Sequence, residues 1–433
     1  MSHSHAAPSA DASRRDFLKT TLAAGALAGA ATLTSGVHAG SSETMKIGLV
    51  GCGGRGTGAA EDALLADKNT KLVAMCDVFP DHLKRSLAGL QKRFGNRVDV
   101  PPDRQFTDFN GYQQLLSSGV DVVLLATSPQ FRPLHAEAAV AAGKHVFFEK
   151  PVAVDATGVR RFIQIAQAAK KINVCFKSGF CYRSDLAKRE AIDRIHGGAI
   201  GDVLAIQANY ITGPIWHRGG DVKNQDMHYQ MLNWYYYTWL SGDFIVEQHV
   251  HNMDKAKWVM KEELPVAITA LGGRQVRTDP KYGNIYDHFS TVFEYKSGAK
   301  LFSYCRQMPR CQFNDVSDHI IGSKGSARFV GVGEEHSIRG VENWSYQGKA
   351  PSMYQQEHDE LFATIRKGMT VNDGESAAMS TMMAVAGRMA AYTGKRWSWE
   401  EALNSKEDLT PAKYEWGPLP VAPVALPGVT KTA

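Results

Sequence analysis

The chain has 433 residues, 44% of them hydrophobic and 21% charged, with a formal net charge of +5. That length suits two domains with their own cores, and the composition is that of an ordinary globular chain. The charge is small and unclustered, which points away from nucleic acid and membrane surfaces; the six cysteines form no C-x-x-C pair and no zinc-ligand spacing, so they read as buried or incidental thiols.

The first elements belong to an export signal. Ser13-Arg14-Arg15-Asp16-Phe17-Leu18-Lys19 is a twin-arginine pattern, followed by an apolar, small-residue stretch from Leu22 to Leu33 and a cleavage site at Val37-His38-Ala39. Residues 1–39 are read as a signal peptide, because the stretch is too short and too rich in Ala and Gly to span a bilayer. No later segment reaches ~18 consecutive apolar residues. The mature protein is expected to be soluble, without a membrane span, and periplasmic or otherwise exported.

From Met45 to Asp77 the pattern is strand, G-x-G-x-x-G, helix, strand, acid. Met45–Val50 is a short apolar strand, Thr57–Ala66 is helical, and Lys71–Cys76 is a second strand. Each glycine has a job in a dinucleotide turn. Gly51 allows the tight turn, Gly53 lets the backbone approach a pyrophosphate, and Gly56 lets helix and strand pack closely. Gly54 and Arg55 complete the loop at the helix N-terminus, where free N–H groups meet phosphate. Asp77 is placed for the ribose hydroxyls and repels a 2′-phosphate, which favours NAD over NADP.

A helix is expected over Asp81–Phe94, and another ends near Ser117. Val120–Ala126 (VDVVLLA) is a near-continuous apolar run, as in a strand buried on both faces. It delivers Thr127-Ser128-Pro129 to the carboxyl edge of the sheet, where such folds bind ligands. Helix Pro133–Ala142 with His135, strand His145–Phe148, Glu149-Lys150-Pro151, helix Ala156–Lys170 and strand Asn173–Gly179 follow. The first domain is assigned to residues 45–175.

Beyond it the texture is β-rich, with strands at Val203–Ile211, Val266–Leu271, His288–Tyr295, Ala299–Gln307, His319–Ile321 and Ser326–Val330. Together they predict an open, mostly antiparallel sheet. Helices are expected at Ser184–Ile195, Gln225–Trp239, Asn252–Met260, Glu357–Lys367 and Glu375–Thr393. The second α/β domain takes residues 176–400. The tail, residues 401–433, is Pro-rich from Thr410 and either wraps the surface or is mobile.

The KIGLVGCGGRG loop, Ala126-Thr127-Ser128-Pro129 with His135, the GKHVFFEKP segment (Gly143–Pro151) and Glu247-x-x-x-His251-x-x-Asp254 resemble the Gfo/Idh/MocA family. The resemblance spans about residues 45 to 400. It implies a Rossmann domain, a doubly wound parallel sheet, and an α/β domain whose open sheet often builds a homo-oligomer. It also implies that Lys150 lies near the nicotinamide and the substrate hydroxyl. The residues agree: a lysine at the end of a buried strand, followed by Pro151, is held at the ligand edge of the sheet. Pro151 is expected to follow a cis or otherwise fixed peptide.

Glu247 and His251 are four residues apart and share a face if helical; a carboxylate that orients an imidazole makes it a proton acceptor. The family usually has Asp where this chain has Glu247. His249 is a further candidate at the substrate, since on a strand it would face with Glu247 and His251; the cluster leaves a metal site open as an alternative, though the family does not generally need a metal. The aromatic stretch Trp216-His217-Arg218 through Trp234-Tyr235-Tyr236-Tyr237 suits sugar rings, or else a core or an oligomer contact. Tyr182-Arg183 is another expected site edge.

Three functions compete. One is an NAD(P)-dependent oxidoreductase of a sugar, glycoside or cyclitol hydroxyl. The second is a redox-neutral nicotinamide-dependent glycosidase or lyase, in which a keto-sugar acidifies its neighbouring C–H and eliminates the aglycone. The third is a non-catalytic dinucleotide-binding scaffold, which the retained Lys150 and His251 argue against. Export away from the soluble NAD pool predicts a tightly held cofactor recycled within the site.

Overall fold

The structure, a computed structural model, describes residues 43–333 and 335–431. The twin-arginine pattern and the cleavage site lie outside the described residues. Strands β1 (Met45–Val50), β2 (Thr70–Cys76), β3 (Gln105–Phe106), β4 (Val122–Leu125), β5 (His145–Phe148) and β6 (Phe176–Ser178) form one sheet in the order β3-β2-β1-β4-β5-β6. Every pairing in it is parallel. Strand order reverses between β1 and β4, so the ligand crevice lies outside their carboxyl ends. β4 and β5 are buried at every position, which is why both read as unbroken apolar runs. β6 lies beyond the boundary expected at residue 175, so the parallel sheet extends through Ser178.

The second sheet has nine strands: β7 (Val203–Thr212), β8 (Ala267–Gly273), β9 (His288–Glu294), β10 (Lys300–Gln307), β11 (Asp315–Gly322), β12 (Gly325–Val330), β13 (Ser337–Arg339), β14 (Trp344–Ser345) and β15 (Trp397–Ser398). Their order is β14-β13-β12-β11-β7-β10-β9-β8-β15. Only the β7–β10 pair is parallel; the others are antiparallel. Every second residue of β9 and β10 is buried, as expected of a sheet packed on one face.

Helix Gly374–Thr393 is buried nearly throughout, the mark of a core helix rather than an amphipathic one. It packs on β8 and on helices Ala156–Lys171 and Val250–Val259. It also seats the chain after Pro151. Thr381 Oγ1 accepts the Val152 N–H at 3.2 Å, and the buried Arg388 donates to the Val154 carbonyl at 2.8 Å.

Two expected helices are broken. Gln225–Trp239 is three short pieces, Met227–Leu232, a 3-10 turn Trp234–Tyr236, and Thr238–Ser241. The break falls at Asn233, whose side chain bonds the Arg218 N–H and the Gly219 carbonyl and so diverts the chain toward the preceding loop. Glu247 and His251 sit on separate helices, Phe244–Glu247 and Val250–Val259. Between them the His249 N–H reaches back five residues to the Phe244 carbonyl, a widened turn. The Pro-rich tail wraps the surface: Met227 donates to the Gly417 carbonyl, Tyr286 to Ala425, and Gly428 to Thr393. No helix among the described residues is long and apolar enough to cross a membrane.

Candidate active site

The Gly loop is shaped for a dinucleotide. Gly51 has φ +96°, and a Cβ there would lie 2.7 Å from the Thr127 nitrogen; a Cβ at Gly56 would lie 1.8 Å from the Gly51 carbonyl oxygen. These two positions admit only glycine. Around Gly53 and Gly54 a Cβ would meet nothing within 4 Å, which leaves open space for phosphates beside the N-terminus of helix Gly54–Ala66. Asp77 accepts the Cys52 N–H through Oδ2 at 2.7 Å and the Phe79 N–H through Oδ1 at 2.8 Å. Both oxygens keep a lone pair for ribose hydroxyls. A cavity of about 310 Å³ runs from Asp77 past the Gly loop to Thr127, Ser128 and His135. These residues fit NAD.

Arg55 is not free to greet a 2′-phosphate. Its Nε pairs with Glu149 at 3.1 Å, its Nη2 with Asp62 at 3.2 Å, and its guanidinium lies 4.8 Å over the Tyr354 ring. His135 is buried against Tyr112 and within 3.3 Å of the Thr127 hydroxyl. Burial and the nearby Arg132 push its pKa down to about 3, so it is a neutral ring. Pro129 opens a buried turn leading to Arg132. Arg132, itself buried, donates to the carbonyls of Leu125, Thr127 and Pro151 and so ties the ends of β4 and β5 together. Sequence reasoning missed it.

The next residues after β5 are Glu149, Lys150 and Pro151, with a cis peptide before the proline. The Lys150 ammonium donates to the Glu247 carbonyl at 2.6 Å and to its carboxylate at 3.1 Å. Glu247 therefore pairs with the lysine and does not orient His251, contrary to the expected carboxylate–imidazole couple; the broken helix turns it toward the nearer cation. His251 is half-buried, its ring 5.0 Å from Tyr182 and 6.1 Å from Phe180, and its buried Nδ1 has no hydrogen-bond partner. Burial, then Lys150 and Lys255, lower its pKa well below the usual imidazole value. His249 is a core residue: it is fully buried and its Nε2 meets the Ser303 hydroxyl at 2.7 Å.

The matches to known families decide what this arrangement belongs to. Residues 45–177 match the oxidoreductase family with an NAD-binding Rossmann fold, and residues 189–328 match the Gfo/Idh/MocA C-terminal domain. The chain belongs to the Gfo/Idh/MocA family. Inositol 2-dehydrogenase 3 of Saccharopolyspora erythraea is 26% identical over 66% of this chain and 73% of its own. The 2,7-anhydro-N-acetylneuraminate hydratase of Escherichia coli is 27% identical over 47% of this chain and 50% of its own. Among solved structures, the aldose-aldose oxidoreductase of Caulobacter crescentus superposes with a TM-score of 0.64 at 19% identity, covering 82% of this chain and all of that one. That likeness is one of fold.

Within this Gfo/Idh/MocA chain the remaining expected site residues scatter. Tyr182 stands beside His251, its ring faced by the ammonium groups of Lys188 and Lys255 at 4.7 and 4.6 Å. Arg183 is engaged elsewhere, bidentate to Asp254 and paired with Glu262. Trp216 and Arg218 line the dinucleotide cavity, with the Arg218 guanidinium 4.6 Å over the indole. His217 braces its own loop: Nε2 meets the Tyr229 hydroxyl at 3.1 Å and Nδ1 accepts the Gly219 N–H at 3.1 Å. Tyr235, Tyr236 and Tyr237 are core. Lys150, Glu247 and His251 are absent from the cavity wall, which covers the cofactor cradle rather than the reacting end. Among the described residues no group of three acidic, His or Cys side chains is placed to hold a metal. Phe79, His82 and Phe109, which flank Asp77 in the cavity, were also missed; Phe79 follows Asp77 by two residues, a signal the sequence did carry.

Proposed function

We propose that this chain oxidises a hydroxyl of a sugar, glycoside or cyclitol, using NAD held tightly in the cavity beside Asp77. The observation that carries it is the Lys150–Glu247 pair at the carboxyl edge of the sheet that bears the Gly loop, with the Lys150 charge felt at the His251 ring. Gly51, Gly53, Gly54, Gly56, Asp77, Thr127 and Ser128 would hold the dinucleotide, with Pro129, His135 and Glu149 shaping the edge. When bound, its nicotinamide supplies the hydride acceptor. Glu247 fixes the Lys150 ammonium, whose remaining N–H donates to the substrate oxygen. His251, neutral because burial and cations oppose its charging, accepts the hydroxyl proton. Tyr182 closes the far side of His251.

The inositol dehydrogenase relative favours a polyol substrate. A second reading, redox-neutral cleavage or elimination through a keto-sugar, draws support from the relative named a hydratase and from the twin-arginine pattern. Under it the protein acts in the periplasm, away from a nicotinamide pool. Assembly into a homo-oligomer through the second sheet completes the proposal.

The deciding experiment starts with protein purified after export, before any nucleotide is added. Its absorbance spectrum and released nucleotide are measured, followed by assays on inositols, aldoses and aryl-glycosides with and without an electron acceptor. Turnover that requires an acceptor supports the oxidoreductase; aglycone release without one supports the redox-neutral reading. A folded protein that binds no NAD overturns both.

A further inference from the structure

The C-terminal tail runs behind the cavity, without lining it, and contacts the elements that form two of its walls. On the parallel-sheet side, the Trp416 ring lies 4.8 Å from Phe109 and 5.8 Å from Phe79, both of which line the cavity beside Asp77. Tyr414 packs 4.9 Å from Phe131, and its hydroxyl and that of Thr410 each accept from the Gln130 side-chain amide at 3.0 Å. A second wall is helix Met227–Leu232, whose Met231 and Leu232 also line the cavity and whose His228 ring lies 5.3 Å from Phe79. To it the tail bonds again: the Gly417 carbonyl accepts the Met227 N–H at 2.9 Å, and the Leu419 carbonyl accepts the Gln230 side-chain amide at 2.8 Å. His228 of that helix lies 5.4 Å from Trp416.

The geometry points to Thr410–Leu419 as a clasp that retains the dinucleotide. It presses Phe79 and Phe109 onto the adenosine end and ties that wall to helix Met227–Leu232, so the cofactor leaves only when the segment lets go. This rests on the cofactor reading above. The clasp is built to detach without unfolding the domains. Trp416 is 44% exposed, and the segment adds no strand to either sheet. Such weakly buried segments open locally far below the global unfolding free energy. Pro411 and Pro418 lower the entropy lost on docking, because proline restricts the free segment. The clasp is thus stable enough to hold and light enough to open for loading.

Trp416→Ala, Tyr414→Ala and the double variant, in the full chain, test this. Each is loaded with NADH, and its release into excess NAD is followed by NADH fluorescence. Release about tenfold faster or more is expected from the double variant, with the loss falling in the off-rate. In the unaltered chain, NADH should slow hydrogen exchange across residues 410–419; this readout needs no variant to fold. An unchanged release rate, or exchange in the tail indifferent to NADH, overturns the clasp while leaving the cofactor reading intact. A folded wild-type chain that takes up no NADH overturns the cofactor reading and the clasp with it.

Discussion

An ammonium has three N–H donors, and at Lys150 two are spent on Glu247. That leaves one, with its direction set. Lys150→Met keeps the stem and removes the donor; kcat is expected to fall by about 10²–10⁴-fold with NADH binding, read by fluorescence titration, retained. A variant that still turns over normally would strip Lys150 of its role. His251 makes a pH prediction. Its pKa is lowered by burial first and by Lys150 and Lys255 next, so the ring stays neutral and able to accept a proton well into acid. The acid limb of kcat/KM should therefore fall below the ~6.5 of a free imidazole, and vanish in His251→Gln. A limb at or above the free value would mean that His251 gains its charge easily and that the packing argument is wrong. At the other end of the cofactor, Asp77 is anchored by two backbone N–H groups. Asp77→Ala should cost NAD binding about 1.5–3 kcal/mol, the worth of hydrogen bonds to a charged group, and cost NADP less. Titration with both reduced nucleotides would show the preference narrowing; equal losses for the two would not fit a ribose role.

The helix Val250–Val259 carries His251 and is pinned one turn later by Asp254. Arg183 grips that carboxylate at 2.8 and 2.9 Å, and the Ser380 hydroxyl donates to it at 2.8 Å. The carboxylate is only 3% exposed, and breaking a buried pair by removing one partner costs about 3–5 kcal/mol. Asp254→Asn should lower the thermal midpoint followed by circular dichroism and also lower kcat, because the helix that places His251 loosens. A melting curve unchanged by the substitution would show that the pair is idle. Sequence gave partial sight of this element. The i, i+4 spacing of Glu247 and His251 implies a shared face only if the helix runs on, and the wide turn at Gln248–His249 is made by backbone bonds that periodicity does not record. The same limit hid the break at Asn233, where a side chain replaces the ladder. By contrast β4, β5 and the Gly-loop unit were plain in the sequence, since strands covered on both faces leave continuous apolar runs and a dinucleotide turn demands glycine at fixed places. The clasp had no periodicity to betray it.

At the scale of the whole molecule, the second sheet packs one face on helices, and among the described residues no helix covers the other. Pairing aligns the outward residues into rows: Leu271 opposite Ser290, Ser290 opposite Tyr304, and Thr269 opposite Val292 opposite Phe302. Leu271 is 77% exposed and neighbours Val292, Phe302 and Tyr304 in these rows, whereas Ile321, 54% exposed on β11, stands in the row of Lys300 and Glu294. Isolated apolar side chains on a surface mean little, but a contiguous outward patch marks an interaction site. A sheet face is nearly flat and extensive, so a second copy laid upon it can bury the ~1,000 Å² or more that a specific interface needs. This supports the homo-oligomer expected of the open sheet. Phe302→Lys together with Leu271→Lys adds charge to the centre of the patch while leaving the inward positions Leu301, Ser303 and Ile268 untouched. Multi-angle light scattering should then report a single chain for the variant and a multiple of it for the parent, with the melting curve of the variant still cooperative. If the parent itself has the mass of one chain, the sheet face is not an assembly surface. If the variant keeps the parent's higher mass, assembly runs through another surface.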